Sequence, residues 1–128
     1  MKQEEFEALG AVVRTILGTL SPWNSAVMRE RMLVHYVAVG ITREEFLLVM
    51  QMCHLERADF DILATRMGCD ANHIAELFAG LERRGLARRY EEDGQKLLNI
   101  DAFYGVMWAR SLKQYDAEQE ALDGDKQV

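Results

Sequence analysis

FDILATRMGCDANHIAELFAGLERRGLARRYEEDGQKLLNI, residues Phe60–Ile100, is the stretch that decides the fold. Leu63, Ala64 and Met67 recur at helical spacing and stop at Gly68. Asp70 follows as an N-cap, because its carboxylate can accept from the free N–H groups of a first helical turn. The helix it opens carries Ile74, Leu77, Phe78 and Leu81 on one apolar stripe. Gly85 suits the left-handed residue that closes a helix. Leu86, Arg88 and Tyr90, then Lys96, Leu98 and Ile100, alternate on either side of Asp93-Gly94, a strong hairpin signal. Helix, tight turn, helix and two-stranded hairpin together predict a winged helix-turn-helix. The fold class expected is mostly α with a small β-hairpin wing, plus extra N- and C-terminal helices.

Outward from that stretch, the chain has the size of one domain. Its 128 residues are 49% hydrophobic, enough for a single core. One proline in the whole chain and long periodic stretches favour helix. No apolar run reaches the roughly 18 residues that span a bilayer. The opening Met-Lys-Gln-Glu-Glu is acidic and polar, unlike a signal peptide. Cys53 and Cys69 fall in helical pattern and need not pair, so a reducing cytoplasm is the simplest setting.

Net charge is −6, and its distribution is informative. Residues 58–100 hold six basic and eight acidic side chains, so even the helix-turn-helix stretch is net negative. Duplex binding depends on cations that neutralise phosphates, and a free-standing DNA-binding domain shows a basic surplus.

Gln3–Leu20 reads as an amphipathic helix through Phe6, Leu9, Val13, Ile16, Leu17 and Leu20, with acids in its first turn. Ser21-Pro22-Trp23-Asn24 interrupts it. Either Ser21 caps the next helix with Pro22 in its first turn, or Asn24 caps one that starts at Ser25. Trp23 reads as a packed anchor or an interface residue. Ser25–Val39 is the second helix, with Val27, Met28, Met32, Tyr36 and Val39 on its apolar face and Gly40 as its stop. Thr42 and Glu45 form a capping box for a third helix, Arg43–Glu56, apolar almost all round and therefore central.

Leu33–Met52 (LVHYVAVGITREEFLLVMQM) resembles the amino-terminal domain of the bacterial DnaD family of replication initiation proteins. The similarity extends through Met67-Gly68 in the turn, Arg84-Gly85-Leu86 at the start of the wing and Asp101-Ala-Phe-Tyr104 after it. It covers about Met28–Trp108 and rests on order and spacing. The loop Glu56–Phe60 is shorter than in that family, and the N-terminal helix is longer. The family's second, DNA-binding domain has no counterpart here, and Gln114–Val128 looks like the start of an interdomain linker. The resemblance implies a winged-helix domain that oligomerises and docks other initiation or primosomal proteins, with DNA contact mostly elsewhere. The expected organisation is a domain over 1–113 and an acidic tail or linker over 114–128.

The outward positions of the second helix of the motif are expected to be Ala71, Asn72, Ala75, Glu76, Ala79, Gly80 and Arg83. Base readout favours Arg, Lys, Asn and Gln, and only Asn72 and Arg83 qualify. The small residues instead suit close approach by another protein. The basic cluster Arg83, Arg84, Arg88 and Arg89 reads as a solvated face balanced by Glu82, Glu91 and Glu92, or as a weak contact to phosphate or to an acidic partner. Cys53, His54, Cys69 and His73 do not match zinc spacings, and no nucleophile–base or phosphate-loop motif is present. No cofactor, metal or catalytic activity is expected.

The last helix, Ala102–Glu120, carries an aromatic stripe of Phe103, Tyr104, Met107, Trp108, Leu112 and Tyr115. It either folds back on Gln3–Leu20 or, with that helix, builds an oligomer. Phe6, Trp23, Phe103, Tyr104, Trp108, Leu112 and Tyr115 are the interface candidates. Two functions follow. One is a non-catalytic interaction and oligomerisation domain of a DnaD-like protein. The other is a transcriptional regulator that reads duplex DNA.

Overall fold

A computed structural model of the chain describes residues 2–53, 55 and 57–126, with the backbone alone at Pro22, Met32, Leu33, Val37, Gln114, Tyr115 and 123–126. The elements are α1 (Gln3–Thr19), α2 (Pro22–Leu33), a 3-10 turn (Val37–Val39), α3 (Arg43–Met52), α4 (Phe60–Met67), α5 (Ala71–Arg83), β1 (Arg88–Glu92), β2 (Gln95–Asn99) and α6 (Asp101–Lys126). The fold is mostly helical with one two-stranded antiparallel sheet. Among the described residues no helix is long and apolar enough to cross a membrane.

Local signals set most helix ends. The Asp59 carboxylate accepts from Ile62 N and that of Asp70 from His73 N, each at 2.8 Å, so α4 and α5 both start on an aspartate cap. Gly68, at φ 70°, ends α4 in the left-handed region that glycine enters without strain. The Thr42–Glu45 capping box forms in both directions. Between Ser21 and Asn24 the chain takes the first alternative: Asn24 N donates to Ser21 Oγ and α2 begins at Pro22.

Two helices are shorter than their periodicity predicts. The one expected over Ser25–Val39 ends at Leu33 and passes through a turn into the 3-10 segment. The β-branched residues Val34, Val37 and Val39 weaken helix there, and Gly40 is left-handed at φ 81°. The one expected over Arg43–Glu56 ends at Met52, and Glu56 itself lies outside the described residues. The chain then extends so that Ala58 O accepts from Leu98 N at 3.1 Å, which gives β2 a neighbour on its outer edge. The last helix runs longer than expected, continuously through 113/114 to Lys126.

In the hairpin Arg88 faces Asn99 and Glu92 faces Gln95. Asp93 (φ 54°) and Gly94 (φ 76°) both take positive φ, the geometry whose twist matches paired strands. Simple alternation fails at its base, because Leu97 and Leu98 are both buried. The neighbour at Ala58 and the cover on both faces explain this: Leu98 joins the main core, while Leu97 faces the Phe60 and Ala71 side.

The core is built from Val13, Leu48, Val49, Leu63, Ile74, Phe78, Leu81, Phe103 and Met107, all essentially inaccessible. Each contributes about 1.5–3 kcal/mol relative to exposure. Helix α1 lies on α6 in the most extensive helix pairing of the fold. The terminal helices therefore fold on each other within one chain, the alternative to an assembly built from both. Gly10 and Gly105 make the approach possible: a Cβ at Gly10 would sit 1.5 Å from Asp101 O, and one at Gly105 would sit 1.9 Å from Phe6 O. Arg14 clamps the crossing through Nε and Nη2 to the Asp101 carboxylate at 2.8 and 3.3 Å.

Tyr104 sits under this crossing beside Cys53. Burial, then the neighbouring Cys53 thiol, pushes the Tyr104 hydroxyl far above its ordinary value of 10.0. Burial likewise raises the Cys53 thiol, opposed by the hydrogen bond from Tyr104. The folded chain thus holds the Tyr104 proton more tightly than the unfolded chain does. Its contribution to stability is complete below pH 10.0 and is lost as pH rises above that value. Denaturant midpoints measured against pH are expected to fall above 10.0, less steeply in Tyr104→Phe than in the parent.

Candidate interaction surfaces

Helix α5 turns Ile74, Phe78 and Leu81 into the core and leaves Asn72, Glu76 and Arg83 exposed, with Ala75 and Ala79 half-buried. Gly80, expected to point outward, is buried. Its Cα faces the Glu45 carboxylate, and a Cβ there would lie 2.5 Å from Glu45 Oε2. Glu45 is itself buried on α3, accepting from Thr42 N at 2.9 Å through Oε1 and from Arg84 Nη1 at 2.5 Å through Oε2. Arg84 also donates to Gly80 O at 3.0 Å. A single polar centre thus joins α3 to the end of α5. Gly80→Ala is expected to destabilise by about 1–2 kcal/mol, because the clash outweighs the helix propensity gained. Urea denaturation checks the sign.

Three of the four arginines around the hairpin are committed within the chain. Arg84 belongs to Glu45. Arg88 Nε donates to Glu7 at 2.6 Å, tying β1 to α1, and its guanidinium lies over Tyr90. Arg89 pairs with Glu82 at 2.9 Å and stacks over Phe60 and Phe78 at 5.1 and 5.9 Å. Arg83 is exposed and makes no ion pair among the described residues. Of the three acids expected to balance them only Glu82 does so; the other partners, Glu45 on α3 and Glu7 on α1, come from outside the local sequence. Glu92 pairs instead with Arg57 at 2.7 Å. Outside the hairpin, His73 on α5 meets Glu44 at 3.1 Å. Among the described residues no group of three or more His, Cys, Asp or Glu side chains is placed to hold a metal ion, and His54 lies outside them.

The interface candidates divide. Phe103 and Tyr104 are core residues, 1% and 5% exposed, and do not reach the surface. The stripe takes the first of its two expected alternatives, folding back on α1, and this buries both residues. Phe6 and Trp108 are half-buried within the chain, Phe6 at the glycine crossing. Leu112 is 47% exposed and Trp23 74% exposed. Trp23 is therefore no packed anchor. The Tyr115 side chain lies outside those described.

Sequence reading missed the surface to which Trp23 belongs. Trp23, Val27 and Val34 are spaced four and seven residues apart, on one side of α2 and the turn that continues it. All three are exposed, Val34 by 68%. Val27, expected inside, faces out because α1 and α6 cover the other side of α2. A shallow groove runs from Val27 and Val34 past Arg31 and His35 to Ser111 of α6, next to Leu112. Ser111 Oγ donates to Arg31 O at 3.4 Å across it. The signal available in sequence was an apolar pattern wider than one buried face on a short helix. Comparisons with protein-family profiles, with curated proteins and with solved structures found no match to this chain.

Proposed function

We propose that this chain is a non-catalytic domain that self-associates and docks other proteins, as its resemblance to the amino-terminal domain of DnaD-like replication initiation proteins implies. In that reading the α4–turn–α5 unit and the hairpin are a winged helix-turn-helix. The third chain segment at Ala58, hydrogen-bonded to the outer edge of β2, supports the assignment. Two free cysteines suit a reducing cytoplasm. The observation that carries the functional reading is the exposed Trp23–Val27–Val34 stripe. Trp23, Val27 and Val34 expose large apolar side chains on one side of the same helix and its continuing turn, and Trp is among the residues most enriched at interface hot spots. The hairpin arginines, neutralised by Glu7, Glu45 and Glu82, leave little cationic surface for a duplex.

Sedimentation equilibrium tests the proposal. The chain is expected to self-associate at micromolar concentration. Trp23→Ala should weaken that association by about 2 kcal/mol, roughly thirty-fold in Kd, without loss of helical circular dichroism. A chain that stays monomeric throughout, or a Trp23 variant that associates unchanged, overturns it. Tight, steeply salt-dependent duplex binding that is lost in Arg83→Ala would instead favour the transcriptional regulator.

A further inference from the structure

Helix α6 outruns the rest of the fold. Its first turns are held by α1 at the Gly10 and Gly105 crossing, and Ser111 still meets Arg31 of α2. Farther on, Glu118 reaches the Arg31 guanidinium only at 3.9 Å. From Leu112 to Leu122 every residue whose side chain is described is exposed, Ala117 and Ala121 included, and the backbone stays helical to Lys126. A helical arm of roughly 15 residues without tertiary cover is marginal in water, because packing of an apolar face supplies most of a helix's stability.

The arm carries a heptad register. Trp108, Leu112, Tyr115, Gln119 and Leu122 follow one another at spacings of four, three, four and three, the repeat of the positions that face a partner in a coiled coil. Trp108 is half-buried at the root of the arm. Leu112 and Leu122 are 47% and 53% exposed. Gln119 is the polar member of the seam, and a single polar residue there fixes register at some cost in stability.

Beyond Leu112 the positions beside the seam are Asp116, Glu118, Asp123 and Asp125, all acidic. Residues 112–126 hold two basic and five acidic side chains, a net charge of −3. Flanking charges choose the partner in such a pairing. Parallel pairing sets one flank against the other, and antiparallel pairing sets each flank against itself. A second copy of this chain therefore brings like charges together in either orientation. The arm suits a helix that is basic where it is acidic.

We propose that the arm of α6 from Leu112 onward docks an amphipathic helix of another protein, with leucine-type side chains against Leu112 and Leu122 and lysine or arginine opposite the acidic flanks. This names a partner for the docking half of the function proposed above and rests on it. The Trp23 stripe, on α2, serves the self-association half.

The test is calorimetric titration of the full chain with three synthetic three-heptad peptides. The first has leucine at the seam positions and lysine beside them. The second replaces those lysines with glutamate. The third is the first with its sequence scrambled to break the heptad. The basic heptad peptide is expected to bind saturably, roughly tenfold or more tighter than either of the others, with weakening as salt is raised. Leu112→Ala/Leu122→Ala, at exposed positions, should lose roughly tenfold or more in affinity. Asp116→Lys/Asp123→Lys should come to prefer the glutamate peptide. Trp23→Ala should bind the basic peptide as the parent does, and sedimentation without peptide reports self-association separately. A chain that self-associates but ignores the basic peptide thus overturns the arm's role alone. Equal binding of the scrambled peptide, or undiminished binding by a folded leucine double variant, also overturns it. So does self-association lost in the leucine double variant and kept in Trp23→Ala, which would put a second copy on the arm.

Discussion

Gly105→Ala is expected to reduce stability by about 3 kcal/mol, a fall in Tm on the order of 10 °C for a domain of this size. The added methyl would lie 1.9 Å from the backbone oxygen of Phe6 on α1. Backbone atoms do not move aside as a flexible side-chain end does, so the two helices must separate along their crossing. Separation also strains the Arg14–Asp101 pair and loosens the packing over Phe103, Tyr104 and Met107. Helix propensity works the other way, since alanine is favoured over glycine inside a helix by up to about 1 kcal/mol. The clash is therefore the larger effect only if the helices really touch through their glycines. Gly10→Ala should behave alike, with its methyl 1.5 Å from Asp101 O. Gly18→Ala is the control: it lies on the same helix with nothing within 4 Å, and should be neutral or stabilising. Thermal and urea denaturation of the three variants separates the cases. Equal stability of Gly105→Ala and the parent would falsify the crossing.

Arg84→Met is the second large effect, expected to cost about 2–3 kcal/mol. Breaking one side of a fully buried ion pair costs about 3–5 kcal/mol, and the figure is discounted here because the Arg84 side chain is 35% exposed. The Glu45 side chain, 4% exposed, would be left with only the Thr42 amide as a donor among the described residues. Glu45→Gln restores neutrality and still accepts from Thr42 N as the second half of a capping box. The double variant Glu45→Gln/Arg84→Met is therefore expected to be more stable than Arg84→Met alone. A double variant as unstable as the sum of two single losses would show that Arg84 acts by packing and not by its charge.

Both effects lie where local pattern is silent. Leu63, Asp70 and Gly68 declare a helix pair, and Asp93-Gly94 declares a hairpin, because caps, left-handed glycines and apolar stripes act over a few residues of chain. Thr42 and Glu45 announce their capping box in the same way. Nothing near Glu45 says that its second oxygen meets Arg84, because they are separated by 39 positions in the chain. Nor does Arg88 carry a sign that Glu7 awaits it from α1. Local sequence offered Glu82, Glu91 and Glu92 to balance the hairpin arginines, whereas tertiary packing supplies Glu82, Glu45 and Glu7. Asn72 and Arg83 stay exposed as expected.

The terminal helices show the same division. Their amphipathic patterns were plain, with Val13 and Leu17 on one and Phe103, Tyr104 and Met107 on the other. Pattern states that a face must be covered, but not by what. Small residues at Gly10 and Gly105 allow the two helices to cover each other, so Phe103 and Tyr104 become core while Trp23 and Leu112 are left outside. Short-range chemistry alone thus determined most element types, the starts of α3, α4 and α5, the hairpin turn and the lack of a basic surplus, while the start and end of α2 were left to the fold. Which charges remain free and which aromatics face solvent were decided only when distant segments met, because burial and ion pairing are properties of neighbours in space.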